Sequence, residues 1–432
     1  MRRLFPSCLF VFFLLIFSSG AILARPLDFY RAALLGDEKA GLTGGKGGTA
    51  VPDDELESLK KRVEELEKKL QEQENAKKKQ EEEQKARMET QATPAQARSA
   101  NGTASSRTVF NPEMSVIGDF TWLINHDKER DGGNPFNMRE VELGLQSYID
   151  PFSRADIFLG FSRDQGESEY HFDIEEAYAT IFKLPFRTQG KVGKFKMEFD
   201  KANTMHAHAL ETVDYPIMIQ NFLGSEGLST TGISLSTLLP FSFSSELTFQ
   251  AGNEENDVSF SGGRSAKPLY LGRWNNYWDL TESTNINLGL SYLSGYNDPG
   301  GAFLTRIMGG DFTLRWKPLK TSLYKSFLWR TEYLKSLRES PENSPVSQGA
   351  YSLMQYQLNQ NFYIGGRYDY SEFPDNNKQN ETAASYYLNY FPTEFMRYEV
   401  QYSQIQEPSK GIIPQWWFRM VFVLGPHGAH KF

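Results

Sequence analysis

The feature that most constrains this chain is a period-2 alternation of apolar and polar side chains, which recurs in segments of about ten residues from Phe110 onward. In one such segment Met396 and Tyr398 alternate with Arg397 and Glu399. A strand with one apolar and one polar face is the repeating unit of a transmembrane β-barrel, although a soluble β-sandwich alternates in the same way. The pattern therefore predicts an all-β region and leaves its environment to be decided by other features.

The connections between these segments alternate in length. Short turns lie at 150–153, 184–188, 239–241, 281–283, 318–320, 359–361 and 392–394. Longer polar or Gly-rich loops lie at 126–137, 164–171, 200–228, 253–268, 297–305, 338–348, 373–381 and 406–414. Seven turns and eight loops separate sixteen strands, and long loops confined to one end are typical of outer-membrane barrels rather than sandwiches. We expect a 16-stranded antiparallel transmembrane β-barrel over residues 108–432, enclosing an aqueous channel.

Composition agrees with a barrel and excludes a bundle of membrane helices. The mean hydropathy is −0.51, and after the signal-like N-terminus no apolar run approaches the roughly 20 residues that a spanning helix needs. Aromatic residues nevertheless make up 14% of the chain. Barrel strands reconcile the two values, because lipid-facing apolar side chains alternate with polar ones that face the lumen.

Residues 1–24 have the features of a secretory signal peptide. Arg2 and Arg3 precede an apolar run over 4–17, and small residues then allow cleavage after Ala21 or Ala24. Removal of the two arginines changes the net charge from −8 to −10, which disfavours nucleic acid as a partner. The single cysteine lies within this segment, so we expect no thiol or disulfide in the mature chain.

The segment that precedes the barrel contains no aromatic residue between Tyr30 and Phe110. We interpret 25–52 as a flexible lead-in, 53–92 as a short α-helical coiled coil and 93–107 as a linker. The coiled-coil seam has apolar residues spaced three and four apart, namely Leu56, Leu59, Val63, Leu66 and Leu70. So short a seam is marginal by itself. It is therefore compatible with packing along a trimer axis, with a single solvated helix, or with contact to the cell wall or another envelope protein.

The region from Met138 to about Leu239 resembles the phosphate-selective porin family (porin O and P type) of Gram-negative outer membranes. Residues 138–145, 172–178 and 190–199 look like the second, fourth and fifth strands of that family. The resemblance implies a usually trimeric anion channel in which the third long loop folds inward and narrows the pore. It implies a porin fold rather than a particular solute.

Side chains on the polar strand faces are expected to line the channel. The basic members are Lys194, Lys196, Arg315, Lys317, Arg330, Arg367 and Arg397. The acidic members are Glu140, Glu142, Glu198, Glu332, Asp369 and Glu399. Such near balance predicts weak ion selectivity, unless the loop at 200–228 narrows the pore beside the basic subset. The charged or titratable residues of that constriction loop include Asp200, Lys201, His206, His208 and Glu211.

Two histidine pairs, His206 with His208 and His427 with His430, are weak candidate metal ligands. The first pair lies on a predicted external loop and the second near a predicted periplasmic C-terminus, so a joint site is excluded. We expect no bound metal and no cofactor. A Gly-x-Ser-x-Gly motif is absent and no nucleophile accompanies a histidine, so we expect no enzymatic activity.

The sequence thus predicts an outer-membrane porin for passive diffusion of small hydrophilic solutes or ions. Expected partners are outer-membrane lipid, small solutes or anions, and two further copies of the chain in a homotrimer. An even strand number places both termini, and hence the N-terminal arm, in the periplasm. Two alternatives stay open: a structural anchor whose coiled coil contacts the cell wall, and a histidine-assisted metal-ion channel.

Overall fold

The computed structural model describes residues 112–125, 135–163, 169–253, 256–263, 267–322 and 324–425. The predicted signal peptide, lead-in, coiled-coil seam and linker lie outside the described residues. His427 and His430 lie outside them as well.

The described residues form sixteen strands in one closed antiparallel barrel. The strands are β1 (Glu113–Asn125), β2 (Phe136–Asp150), β3 (Ser153–Ser162), β4 (His171–Leu184), β5 (Thr188–Lys196), β6 (Ser229–Leu238), β7 (Ser244–Gly252), β8 (Leu269–Thr281), β9 (Thr284–Tyr296), β10 (Leu304–Trp316), β11 (Phe327–Arg338), β12 (Val346–Gln357), β13 (Phe362–Phe373), β14 (Asn376–Thr393), β15 (Met396–Glu407) and β16 (Gly411–Leu424). Each strand pairs with its neighbours in the chain, and β1 pairs with β16 to close the barrel, from Val116 opposite Leu424 to Asn125 opposite Gln415. The predicted 16-stranded antiparallel barrel is confirmed.

Three connections differ from the sequence-based expectation. The predicted turn at 318–320 belongs to a longer segment between β10 and β11, whereas the predicted loops at 373–381 and 406–414 are short turns between β13 and β14 and between β15 and β16. Most of the residues assigned to those two loops continue the strands. A strand that extends beyond the apolar belt needs no apolar face, so its sequence is polar on both sides and resembles a loop.

The outer surface of the barrel is apolar. On β9, Leu288, Leu290 and Tyr292 are between 39% and 48% exposed, whereas the intervening Gly289 and Ser291 are buried on the inward face. Large apolar side chains are exposed on the other strands in the same manner. This is the alternation expected when lipid, rather than water, surrounds the sheet. None of the helices in the described residues is long and apolar enough to span a membrane.

The connection between β5 and β6, residues 197–228, folds into the barrel and is called the inner loop below. It contains a short 3-10 turn (Ala207–Ala209) and a helix, α1 (Ile217–Leu223). The helix contacts β12, β13 and β14. The main apolar core of the described residues therefore lies inside the barrel, where inner-loop residues pack against inward side chains of the wall: Met197, Phe199, Met218, Ile219, Phe222, Leu223, Leu269, Leu271, Leu293, Ile307, Leu334 and Leu353.

Two inward-facing glycines allow the inner loop to approach the wall closely. A Cβ atom on Gly349 would lie 2.6 Å from Cβ of Met218, and one on Gly309 would lie 2.6 Å from the ring of Phe199. Any larger residue at these two positions would displace the loop.

Candidate functional site in the barrel interior

Five arginine side chains from one side of the wall hold residues 207–215 of the inner loop. They come from β2, β11, β13, β15 and β16, and they are Arg139, Arg330, Arg367, Arg397 and Arg419. Arg330 donates two parallel hydrogen bonds to the Glu211 carboxylate, at 2.9 and 3.0 Å. Arg367 donates to the carboxylate of Asp214 at 3.1 Å and to its carbonyl at 2.7 Å. Bidentate and charge-assisted bonds of this kind are the strongest that side chains make.

The remaining three arginines satisfy backbone carbonyls of the inner loop. Arg397 donates to the carbonyls of Leu210, at 2.7 Å, and Glu211, at 3.1 Å. Arg419 donates to the carbonyl of Ala207 at 2.7 Å, and Arg139 donates to that of Val213 at 2.5 Å. An irregular buried segment has no ladder or helix to pair its carbonyls, so donors must come from the wall.

Carboxylates of the wall pair with these arginines. Asp119 accepts hydrogen bonds from both Arg139 and Arg419. Asp369 on β13 accepts a hydrogen bond from Arg367 at 2.7 Å, and Glu399 on β15 accepts one from Arg397 at 2.5 Å. Because each buried guanidinium has a carboxylate partner, the cost of removing its charge from water is partly offset.

Wall acceptors also bind backbone amides of the inner loop. The Glu332 carboxylate accepts from the amide of Ala202 at 3.1 Å, and the Asp369 carboxylate accepts from that of Ile217 at 3.2 Å. Both carboxylates are no more than 1% exposed. The inner loop is therefore fixed to the wall through both its donors and its acceptors.

The structure places the predicted pore-lining residues in two different environments. Arg330, Arg367, Arg397 and Glu399 point into the barrel but are between 2% and 8% exposed, because the inner loop covers them. They contact the loop rather than open solvent.

The other predicted pore-lining residues divide in the same way. The buried ones are Glu140, Glu142, Glu332, Asp369 and Lys196, and the remaining four lie nearer to solvent. Lys194, near the end of β5, is partly exposed and lies 3.1 Å from Asp173, and Arg315 is partly exposed on β10. Lys196 is buried and donates to the carbonyl of Glu226 at 2.6 Å. The last two are partly buried Glu198, whose carboxylate is 3.9 Å from Lys191, and exposed Lys317, which lies just beyond the end of β10.

All five titratable residues predicted for the constriction loop lie on the inner loop. Burial raises the pKa of Asp200 to about 6, with a further contribution from nearby Asp311. Burial, together with the cations Arg330 and Arg315, lowers the pKa of Lys201 to about 8. In Glu211 burial raises the pKa, but the paired Arg330 outweighs this and holds the pKa below its ordinary value.

His206 and His208 lie in a pocket of glutamates at the long-loop end of the interior. His206 Nδ1 is 2.7 Å from Glu175 Oε2, and His206 Nε2 is 2.8 Å from Glu176 Oε1. Burial lowers the pKa of His206, but the surrounding carboxylates of Glu142, Glu175 and Glu176 outweigh it and raise that pKa well above the usual value. The two imidazole rings stack with their centroids 5.6 Å apart. His206 is 7% exposed and His208 is 5% exposed.

Two β-bulges create this pocket. The register between β3 and β4 shifts so that Glu176 pairs with Phe158 and Ile174 with Leu159, which leaves Glu175 as the extra residue. Both Glu175 and Glu176 consequently face inward. A similar shift between β1 and β2 turns both Arg139 and Glu140 inward. Strict alternation predicts opposite faces for adjacent residues, so sequence reasoning missed Glu175 and Glu176 as neighbours of the histidines.

A cavity of about 490 Å³ lies at the long-loop end of the interior, beside the return of the inner loop. Its charged lining comprises Asp173, Glu175, Lys194, Lys196, Glu226 and Asp257. Both signs of charge are represented, which suits a polar solute rather than an apolar ligand.

Comparisons with known proteins agree with the architecture and leave the family open. No protein-family model matches this chain. An uncharacterised protein of Aquifex aeolicus (strain VF5) is 27% identical over 391 residues, which cover 76% of this chain and 81% of the relative.

Among solved structures, Pseudomonas putida OprB at high pH has a TM-score of 0.50 and 9% identity, covering 73% of this chain and 94% of that chain. The outer membrane channel DcaP of Acinetobacter baumannii has a TM-score of 0.49 and 12% identity, covering 73% of this chain and 97% of that chain. A loop L8 deletion mutant of OmpT, an outer membrane protein of Vibrio cholerae, has a TM-score of 0.49 and 9% identity, covering 73% of this chain and 100% of that chain. At such low identity the likeness to OprB shows a shared fold alone.

Proposed function

We propose that this protein is an outer-membrane channel through which small hydrophilic solutes or ions diffuse passively, with the inner loop as its constriction. The observation that carries the proposal is a closed 16-stranded barrel, apolar outside and polar inside, whose interior is crossed by a loop bonded to the wall. Barrels of about eight strands are filled by their own side chains, whereas barrels of about sixteen have room for an aqueous path.

The inner loop supports the constriction because it is anchored on many sides. Its hydrogen bonds reach β2, β4, β7, β8, β9, β11, β13, β14, β15 and β16. A segment held at so many points keeps one conformation, so the aperture is preset rather than opened by a mobile lid.

We expect a modest anion preference. The buried carboxylates Asp119, Asp369 and Glu399 are paired with arginines inside the protein. Lys201 and Arg315 are only partly buried, and the Arg315 charge, together with burial and Arg330, lowers the pKa of Lys201. Partly exposed cations beside the water path favour anions.

The same proposal includes the cellular location and the assembly. The apolar outer face requires lipid, and β1 begins at the end of the barrel that carries the short turns. In outer-membrane barrels that end faces the periplasm. We therefore propose an outer-membrane homotrimer with the arm at 25–107 in the periplasm.

Planar-bilayer recording of the purified full chain in a potassium chloride gradient tests this function. We expect stepwise conductance and a small reversal potential of the sign given by anion preference. Repeating the recording with added phosphate asks whether phosphate is a preferred solute, because a bound anion would block chloride current. The protein's heat-modifiable mobility on gels verifies that it is folded. If the folded protein forms no channels, the proposed channel function is wrong and the structural-anchor alternative is favoured.

A further inference from the structure

The histidine pocket brings together groups that transition-metal ions prefer as ligands. His206 Nδ1 is 2.7 Å from Glu175 Oε2 and 3.2 Å from Glu142 Oε2. His208 Nδ1 is 3.7 Å from the same Glu142 oxygen. Metal–ligand bonds of about 2.0 to 2.2 Å in a tetrahedral site separate neighbouring donor atoms by roughly 3.4 Å. The three distances lie on both sides of that separation. The donor atoms form two groups that share Glu142, one with His206 and Glu175 and one with His208 and Glu140, and the atoms of each group lie within 4.8 Å of one another.

The surroundings of Glu142 provide a second, independent observation. Glu142 is 1% exposed, and its Oε2 atom, which faces the two imidazoles, accepts no hydrogen bond within the described part of the chain. The nearest nitrogen to this oxygen is His206 Nδ1 at 3.2 Å, which lies closer to Glu175, at 2.7 Å. A buried carboxylate oxygen without a hydrogen bond costs free energy unless a cation occupies the space in front of it.

We propose that His206, His208, Glu142 and Glu175 form a binding site for a divalent transition-metal ion, which fastens the inner loop to β2 and β4. Imidazole nitrogen and carboxylate oxygen are the donor set of Zn²⁺ and of similar ions such as Co²⁺, whereas Ca²⁺ and Mg²⁺ prefer oxygen alone. On binding, the ion replaces the proton between His206 Nδ1 and Glu175, and that proton leaves to solvent.

Glu176 is placed to support such a site without contacting the ion. Its Oε1 atom is 2.8 Å from His206 Nε2, the ring nitrogen opposite the proposed metal ligand. A carboxylate in this position orients the imidazole and makes the other nitrogen a better ligand. Glu176 also accepts the backbone amide of Lys196 at 3.0 Å, so its own position is fixed by β5.

The site goes beyond the proposed channel function, since the ion would be a resident part of the structure rather than a permeating solute. His208 and Glu142 are 3% and 1% exposed in their side chains, so a bound ion would lie beneath the surface of the inner loop. It would also offset part of the negative charge of the neighbouring glutamates at 140, 142, 175 and 176.

Zinc binding to the folded full chain tests the site directly. The protein is treated with chelator, exchanged into chelator-free buffer and titrated with Zn²⁺ by calorimetry, and the metal retained after gel filtration is measured. We expect one Zn²⁺ per chain with a Kd below about 1 μM, and visible absorption of a Co²⁺-loaded sample typical of a four-coordinate ion. Ca²⁺ and Mg²⁺ should not compete at millimolar concentration.

Two double variants make a matched comparison. His206→Ala with His208→Ala should weaken Zn²⁺ binding at least 100-fold, whereas His427→Ala with His430→Ala, which removes the same number of imidazoles elsewhere, should leave it unchanged. Glu142→Gln preserves the side-chain volume and should weaken binding at least tenfold, which covers the case in which the histidine variant does not fold.

The proposal is overturned if the parent protein retains no zinc, or if the His206→Ala, His208→Ala variant binds zinc like the parent. In the first case the pocket holds the inner loop only through ion pairs between the histidines and the glutamates. The measurement involves no ionic current, so its failure is distinguishable from failure of the channel function.

Discussion

Arg367 illustrates how one buried side chain determines the position of the inner loop. Its guanidinium is bonded to Asp369 and to the carboxylate and carbonyl of Asp214. Arg367→Met would leave Asp369, which is fully buried, without its cation. We expect the free energy of unfolding in lipid vesicles to fall by about 3 to 5 kcal/mol, and single-channel conductance to rise as the loop loosens.

Arg306→Met is the matched control for that substitution. Arg306 also binds a carboxylate, Glu339, at 2.7 Å, but both side chains are about one-third exposed. Exposed ion pairs contribute less than about 1 kcal/mol, so urea unfolding should change little and conductance should stay as in the parent. Equal effects of the two substitutions would show that Arg367 has no special role in holding the loop.

Lys201 gives the channel a pH dependence. Burial and the neighbouring cations Arg330 and Arg315 lower its pKa to about 8, so the ammonium is charged below that pH and neutral above it. The anion preference, measured as reversal potential in a salt gradient, should therefore decrease as the pH rises from about 7 to about 9. Lys201→Met should have the lower preference below about pH 8, should approach the parent above that pH, and should remove this step. A Lys201→Met channel that keeps the step would assign it to another group.

At the level of single elements, the inner loop packs against wall positions where only glycine leaves enough room. Gly349→Val would place a side chain against Met218 and Phe222 of the loop, whereas a Cβ on Gly272 of β8 meets no atom within 4 Å. Valine suits a strand at both positions. We expect Gly349→Val to lower stability by about 1 to 3 kcal/mol and to alter conductance, and Gly272→Val to do neither. Similar conductance in both variants would mean that the loop does not define the aperture.

The number and order of the strands were predictable from the sequence because the apolar part of a strand carries its own period-2 signal. The inward faces of Arg367 with Asp369 and of Arg397 with Glu399 follow from alternation alone. Their burial does not, because it depends on carbonyls and carboxylates of an inner loop that is distant in sequence. The sequence indicates which way an arginine points, but not what covers it.

The interior packing had a sequence signal that is clearest in hindsight. The segment Ile217–Leu223 is an apolar run within what alternation presents as an external loop, and five of its residues are buried. In an external loop these apolar side chains would be exposed to water, so the run indicates that the loop folds into the barrel. The bulges at Arg139 and Glu175 have no comparable signal, because one extra residue in a strand changes the facing of adjacent side chains without changing composition.

At the scale of the whole molecule, the polar side chains inside the barrel hold the inner loop as well as line the water-filled space. The mean hydropathy of −0.51 reflects in part the many buried polar side chains of the wall, such as Asp119, Gln401 and Arg419. In this barrel much of the polar wall bonds to the inner loop instead of facing water. Balanced charges in the sequence therefore describe the packing of the loop more than the selectivity of the pore.

The predicted coiled coil at 53–92 lies outside the described residues and leads to a prediction about assembly. Its seam is too short for an independent oligomer, yet three helices attached to a trimeric barrel would have a high effective concentration for one another. Deletion of 53–92 should therefore lower the dissociation temperature of the trimer on native gels and leave single-channel conductance unchanged, since conductance depends on the barrel interior.

A pair of single substitutions separates the seam from the arm as a whole. Val63→Asn places an amide in the apolar seam, whereas Arg62→Asn changes the adjacent position, which lies outside the seam. Only Val63→Asn should reproduce the loss of trimer stability that the deletion causes. If the deletion variant dissociates at the same temperature as the parent, the seam does not serve trimerisation, and binding of the isolated arm to cell-wall material becomes the interaction to measure.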